Sequence, residues 1–161
     1  MQIDKLDSRD LAILNALQDN GRLTNTELAE KVNLSQSACL RRLKNLEDSP
    51  IVSSYTVLLD PRSCGLAGTA FVMVTLEGQG KESLENFELA IRDIPEILEC
   101  YLLAGQHDYM LRIIFSDSED LERIHSEILT DLPGVVRVQS TLTLRTVKRT
   151  TKLPLQQIRR T

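Results

Sequence analysis

Apolar residues recur at Leu11, Leu14 and Leu17, the spacing of one helical face, and Asp7 just ahead of them is a good N-cap. The spacing predicts a helix over residues 7–20 that the Asn20-Gly21 pair stops. Thr24 with Glu27 three residues on is a capping box, and the short helix behind it puts Leu28, Ala29 and Val32 on one face. Asn33-Leu34 predicts a tight turn, and Ser35 caps a third helix that must end before Pro50, near Asp48. The β-branched and apolar stretch from Ile51 to Asp60 predicts one or two short strands. Three helices, the last two joined tightly, and then a strand pair make the pattern of a winged helix-turn-helix over residues 1–60.

Residues 61–68, with Pro61, Gly65 and Gly68, read as a hinge. Beyond it the periodicity alternates between two and three to four. It predicts strand 70–77, helix 81–93, strands 97–104 and 109–115, helix 117–131 capped by Ser116, and a long strand 135–147. The order β-α-β-β-α-β over 69–147 is ferredoxin-like, so the fold class is α+β: a winged helix-turn-helix plus a ferredoxin-like domain. Helices on one face leave the other face of the sheet to be covered, and a second copy of the chain is the simplest cover. A last strand of about 13 residues is long enough to outrun its own sheet.

Composition narrows the class. The chain has 161 residues, no apolar run of membrane length, a charged N-terminus, MQIDKLDSRD, without an apolar h-region, and three cysteines without CxxC spacing. These features predict a soluble, reduced, cytoplasmic protein with no membrane partner, no metal site and no disulfide framework. The net charge of −4 taken alone argues against a nucleic-acid binder, but the charge is segregated. Residues 1–60 carry 7 basic and 9 acidic side chains, residues 81–131 carry 4 and 13, and residues 132–161 carry 7 and none. The last 14 residues form a basic tail, 148–161, suited to DNA or to acidic helices of a neighbouring subunit.

On a helical wheel the third helix turns Cys39, Leu43 and Leu46 inward and Ser37, Arg41 and Lys44 outward, with Gln36 at its start and Arg42 on a flank. An outward row of Ser, Arg and Lys suits the major groove. Arginine reads guanine with two parallel bonds and glutamine does the same for adenine, while Arg42 and Lys44 suit phosphates. Cys39, on the apolar side, reads as an inert core residue.

The run from Gly21 to Ala29, with Leu34-Ser35, Cys39 to Leu43, Leu46-Glu47, Ile51-Val52 and Tyr55, closely resembles the Lrp/AsnC family of amino-acid-responsive regulators. Gly105-Gln106-His107-Asp108-Tyr109 looks like that family's effector-loop motif Gly-x-x-Asp-Tyr, and Leu132-Pro133-Gly134-Val135 matches its lead into the last strand. By residue type alone Gly105 and Asp108 read first as turn residues. The resemblance implies that the loop holds a free amino acid, with contacts from Ala104, Gly105, Gln106, His107, Asp108 and Tyr109, joined by Gln139, Ser140 and Thr141 of a neighbouring subunit. Asp108 would accept from the α-ammonium, and loop N–H groups would donate to the α-carboxylate. The resemblance also implies double-stranded DNA as partner and dimers assembling further, commonly to an octamer. Gln36 and Ala38 stand where the family often has proline, which leaves the target sequence open.

No nucleophile accompanies the adjacent His107-Asp108 pair, so an enzyme is not expected, and no cofactor beyond an amino-acid effector is. The alternatives are an amino-acid-binding ferredoxin-like protein whose helical part serves assembly, and an architectural oligomer that binds DNA without an effector.

Overall fold

The computed structural model describes residues 6–155, so residues 1–5 and 156–161, with Arg159 and Arg160 of the tail, lie outside the described residues. The chain forms two compact units. One combines the residues up to Val57 with those from Lys148 onward, and the other runs from Leu58 to Val147. Among the described residues no helix is long and apolar enough to cross a membrane.

The first unit is built on three short helices, α1 (Ser8–Asp19), α2 (Asn25–Lys31) and α3 (Gln36–Glu47), each started by a side-chain cap. Asp7 accepts the N–H groups of Arg9 and Asp10, and Asp10 returns the bond to the Asp7 N–H. Thr24 and Glu27 form the expected box, and Ser35 accepts from the Ala38 N–H. Asn33 lies in the left-handed region (φ 52°), which makes the turn between α2 and α3 tight. Leu14, Leu28, Ala29, Cys39 and Leu46 are buried together on the faces that the periodicity assigned, and Ile13, which it did not assign, is the most deeply buried residue of α1, while Leu11 and Leu17 are partly buried. Burial pushes the Cys39 thiol up, as an inert core cysteine requires.

Two expectations fail here. Residues 52–60 form no strand, and Tyr55, Val57, Leu58 and Leu59 remain exposed. β-propensity needs a neighbouring strand to take the ladder bonds, and the chain supplies none to this segment. The tail does not stand apart either. Lys152 pairs with Asp19, the Leu153 N–H donates to the Gln18 side chain (2.6 Å), and Leu155 is buried in the helical core.

The second unit is a four-stranded antiparallel sheet in the order β2-β3-β1-β4, with β1 (Gly68–Leu76), β2 (Ile97–Leu102), β3 (Tyr109–Phe115) and β4 (Val135–Leu142). The helices are α4 (Lys81–Ile91) and α5 (Ser118–Arg123), the latter continuing as a π-helical turn, Ile124–Leu129. Ala70, Val72, Val74, Leu111 and Ile113 face Phe87, Ile124 and Leu129, all fully buried. The wider π turn brings Ile124 and Leu129, five residues apart, onto the same buried side, where an α-helix would have used Ile128. Asp117, not Ser116, caps α5, because its carboxylate reaches the N–H groups of Glu119 and Asp120.

The last strand ends at Leu142 and not at 147. It pairs with β1 as far as Ala70, and one more bond runs from the Thr143 N–H to the Thr69 carbonyl (2.9 Å), close to where β1 itself begins; beyond it Leu144 and Val147 are exposed. By alternation, Phe71, Met73 and Thr75 of β1 point away from the helices, and no helix of this unit covers that face.

Candidate functional site

Gln36, Ser37, Arg41 and Lys44 are all exposed, in a row along α3. The row exists because Cys39 and Leu46 anchor the opposite side of the helix in the core. The Asn25 side-chain amide donates to the Gln36 carbonyl (3.0 Å), which pins the start of α3 to the start of α2. Arg41 and Lys44 make no ion pair among the described residues, so both cations are available. Leu40, which the wheel analysis passed over, is 55% exposed within the same row.

Arg42 is different. Its guanidinium bridges Asp7 (2.7 Å) and Asp10 (2.8 Å), the two residues of the α1 capping box. That geometry makes it a clamp between α3 and the start of α1, where the sequence suggested a phosphate ligand. The Asp7 carboxyl is held below the usual carboxylate range, chiefly by the Asp10 N–H and then by Arg42.

A depressed carboxyl stabilises the fold above its unfolded pKa of about 4 and loses that contribution as pH falls through the lower folded value. Arg42→Ala should therefore cost about 0.5–1 kcal/mol near neutral pH, given the partial exposure of the cluster. The gap to the unsubstituted protein should narrow at about pH 3 in urea unfolding. A gap that persists in acid, or a loss of DNA affinity matching that of Arg41→Ala, overturns the clamp.

In the second unit the loop 104–108 joins β2 to β3 and carries the other candidates. Ala104, Gly105 and Gln106 are exposed, and a Cβ at Gly105 would meet nothing within 4 Å. His107 is half-buried, its Nδ1 3.3 Å from the Thr75 hydroxyl. Asp108 is only 5% exposed. Its Oδ2 accepts the Leu76 N–H (2.8 Å) and its Oδ1 the Gln79 side-chain amide (2.7 Å). The carboxylate is thus committed to the end of β1, and holding the loop in place is its evident work.

Tyr109 is a core residue. Its ring lies 4.5 Å from that of Phe87 and its hydroxyl donates to Glu88 Oε1 (2.8 Å). Burial raises its pKa, and Glu88 adds to the shift. A cavity of about 360 Å³ beside α4 and β2 includes Glu88, Arg92, Cys100, Leu102 and Tyr109 but none of residues 104–107.

Strand register separates the remaining three candidates. Val74 pairs with Val138 and Val72 with Ser140 on the helix side, whereas Gln139 and Thr141 pair with Met73 and Phe71 on the uncovered side. Ser140 therefore does not share a face with its neighbours. Its hydroxyl is buried with no hydrogen-bond partner among the described residues.

Comparison with known proteins fits both units. A family described as winged helix-turn-helix DNA-binding matches residues 6–51, and one described as the Lrp/AsnC ligand-binding domain matches residues 69–153. The chain belongs to the Lrp/AsnC family. It is 35% identical over 153 residues to the transcriptional regulator AzlB of Bacillus subtilis, covering 95% of this chain and 98% of AzlB. It is 34% identical to the leucine-responsive regulatory protein of Escherichia coli over 94% of this chain and 92% of that one. The crystal structure of the Neisseria meningitidis regulator NMB0573 with L-Met superposes with a TM-score of 0.90 at 44% identity, covering 94% of this chain and 97% of that one. This Lrp/AsnC member is thus a transcriptional regulator with a DNA-binding helix-turn-helix and a ligand-binding domain.

Grouping charge by folded unit changes the electrostatic picture of this regulator. Among the described residues, 6–57 carry 6 basic and 7 acidic side chains, but 148–155 bring 3 further basic ones into the same unit and no acid. The described part of the helix-turn-helix unit then has a net charge of +2. Sequence reasoning missed Gln79 and Glu88, the partners of Asp108 and Tyr109, because both partnerships span about 20 to 30 residues and have no periodic signature. The Asp7–Asp10 half of the Arg42 clamp did leave a trace, as an acidic residue three positions after the cap.

Proposed function

We propose that this regulator binds double-stranded DNA as a homo-oligomer through α3, and that a free amino acid held at loop 104–108 alters that binding. Gln36, Ser37 and Arg41 would face base edges, and Lys44 a phosphate. The observation that carries this reading is the exposed Arg41–Lys44 row, without ion pairs among the described residues, on a helix capped by Ser35, in a chain that also carries the ligand-binding domain.

The loop is exposed, whereas a bound small molecule is normally enclosed over most of its surface, so a second subunit must supply the other wall. The uncovered sheet face with Phe71 and Met73 supports a dimer, with Gln139 and Thr141 of a neighbour as further contacts, and the family likeness supports assembly beyond it to an octamer. Gly105 keeps a backbone free of Cβ where a ligand's polar groups would approach. A regulator of transcription would act in the cytoplasm, and the proposed role needs no catalysis and no cofactor besides the effector.

A ligand can act at a distance only by binding two states of the assembly unequally. Strand β4 leads within a few residues into the tail that is built into the helix-turn-helix unit, so a displacement of β4 has a covalent route to the DNA-binding helices.

The test is a thermal-unfolding screen of the full chain against the twenty amino acids. Methionine and other apolar residues come first, because the NMB0573 relative was crystallised with L-Met. A ligand at about a hundredfold excess over its Kd adds about 2.7 kcal/mol, a shift of several degrees. That ligand should also change the sedimentation or the DNA footprint. If no amino acid moves any of the three, the effector reading falls and an architectural DNA-binding oligomer replaces it.

A further inference from the structure

We infer that Leu40 is a specificity-determining residue that reads the C5-methyl group of a thymine in the major groove. The inference rests on the DNA-binding role of α3. A lone exposed leucine usually needs no explanation, but its position here gives it one. Leu40 is 55% exposed and adds nothing to the core, because α3 packs through Cys39, Leu43 and Leu46. It sits three residues after Ser37 and four before Lys44, inside the exposed polar row and next to Arg41. The N-terminal half of a recognition helix is the part that reaches base edges, and Leu40 is the fifth residue of α3.

In the major groove the thymine methyl is the one apolar feature of the base edges, and an aliphatic side chain is its natural complement. The neighbouring cations decide the occupant. With Arg41 and Lys44 beside it and without ion pairs among the described residues, burying Leu40 against another protein surface would bury two cations with it, whereas a duplex offers phosphates and guanine acceptors for both. Arg41 and Leu40 are consecutive, so a half-site should place the methyl-bearing thymine close to the guanine that Arg41 reads.

The experiment begins by selecting a binding duplex from a random pool with the full chain. Each thymine is then replaced in turn by deoxyuridine, which keeps every hydrogen-bonding group and removes only the methyl. One replacement per half-site should weaken binding about fourfold, the worth of burying one carbon. Leu40→Ala should bind the unmodified duplex several-fold more weakly and be indifferent to deoxyuridine at that position, while its thermal unfolding and sedimentation stay unchanged. The inference is overturned if the unsubstituted protein tolerates deoxyuridine at every position, or if Leu40→Ala keeps the same deoxyuridine sensitivity. A change of oligomeric state in Leu40→Ala overturns it in favour of a contact between subunits. A pool that enriches no duplex overturns the DNA-binding reading together with this one.

Discussion

Arg41→Ala should lower affinity for the selected duplex by about 1–3 kcal/mol per engaged subunit, so that a dimer holding two half-sites loses about thirtyfold or more. The magnitude follows from chemistry that only this side chain in the row can supply. An arginine fork donates two parallel bonds to guanine O6 and N7, and its loss leaves both acceptors facing water or an alanine methyl. Arg41 is exposed and takes part in no ion pair, so its removal should leave the fold intact, unlike that of Arg42. Arg41→Lys keeps the charge but loses the fork, and should restore the salt dependence without restoring base preference. Lys44→Ala should do the converse. It should reduce the slope of log affinity against log salt by about 0.9 per phosphate contact and leave the preference for the selected sequence unchanged. Electrophoretic titration at three salt concentrations separates these outcomes. Unchanged affinity of Arg41→Ala at low salt removes α3 as the reading element.

The contrast between Arg41 and Arg42 shows where sequence reasoning stops. Helical periodicity puts residues on faces, and it did so correctly for Cys39, Leu46, Ser37, Arg41 and Lys44, because those faces are decided by contacts within one or two turns. Caps were legible for the same reason, since an N-cap and its partner lie three residues apart. Arg42 lies on the flank between the two faces, and whether it meets water, phosphate or protein depends on Asp7 and Asp10, more than 30 residues away. No local pattern encodes that pairing.

The strands tell the same story. β1 and β3 were read well, because their buried sides alternate along their own length. The stretch 52–60 was misread, since its β-branched residues have the propensity but no neighbour to pair with. Charge was the most deceptive quantity. Counted along the chain, the helix-turn-helix residues are slightly acidic and the tail strongly basic, and only the return of the tail to α1 shows that both belong to one cationic unit. A net charge of −4 is then compatible with DNA binding, because the acidic excess sits in the ligand-binding unit.

Asp108→Ala should destabilise the ligand-binding unit by about 1–3 kcal/mol and abolish the effector response with it. The side chain is buried, and its two oxygens satisfy the Leu76 N–H and the Gln79 amide at the end of β1. Alanine strands the buried Leu76 N–H, which costs about 1–3 kcal/mol, whereas the exposed Gln79 amide can turn to water. Loop residues 104–107 would lose the anchor that positions them, since Asp108 also ties the loop through its own backbone, donating to Val74 and accepting from Leu103.

Asp108→Asn separates positioning from direct contact with ligand. The asparagine carbonyl can keep the Leu76 bond, and Gln79 can rotate its amide to present oxygen to the new NH₂, so most of the stability should return. If Asp108 acts by positioning the loop, the ligand-induced thermal shift should return in the same proportion. If the carboxylate itself accepts the α-ammonium, Asp108→Asn should be nearly as stable as the unsubstituted protein yet show no shift, because a neutral amide cannot replace the charge. The distances favour the first outcome, and paired measurements of unfolding temperature with and without the amino acid in the two variants decide between them.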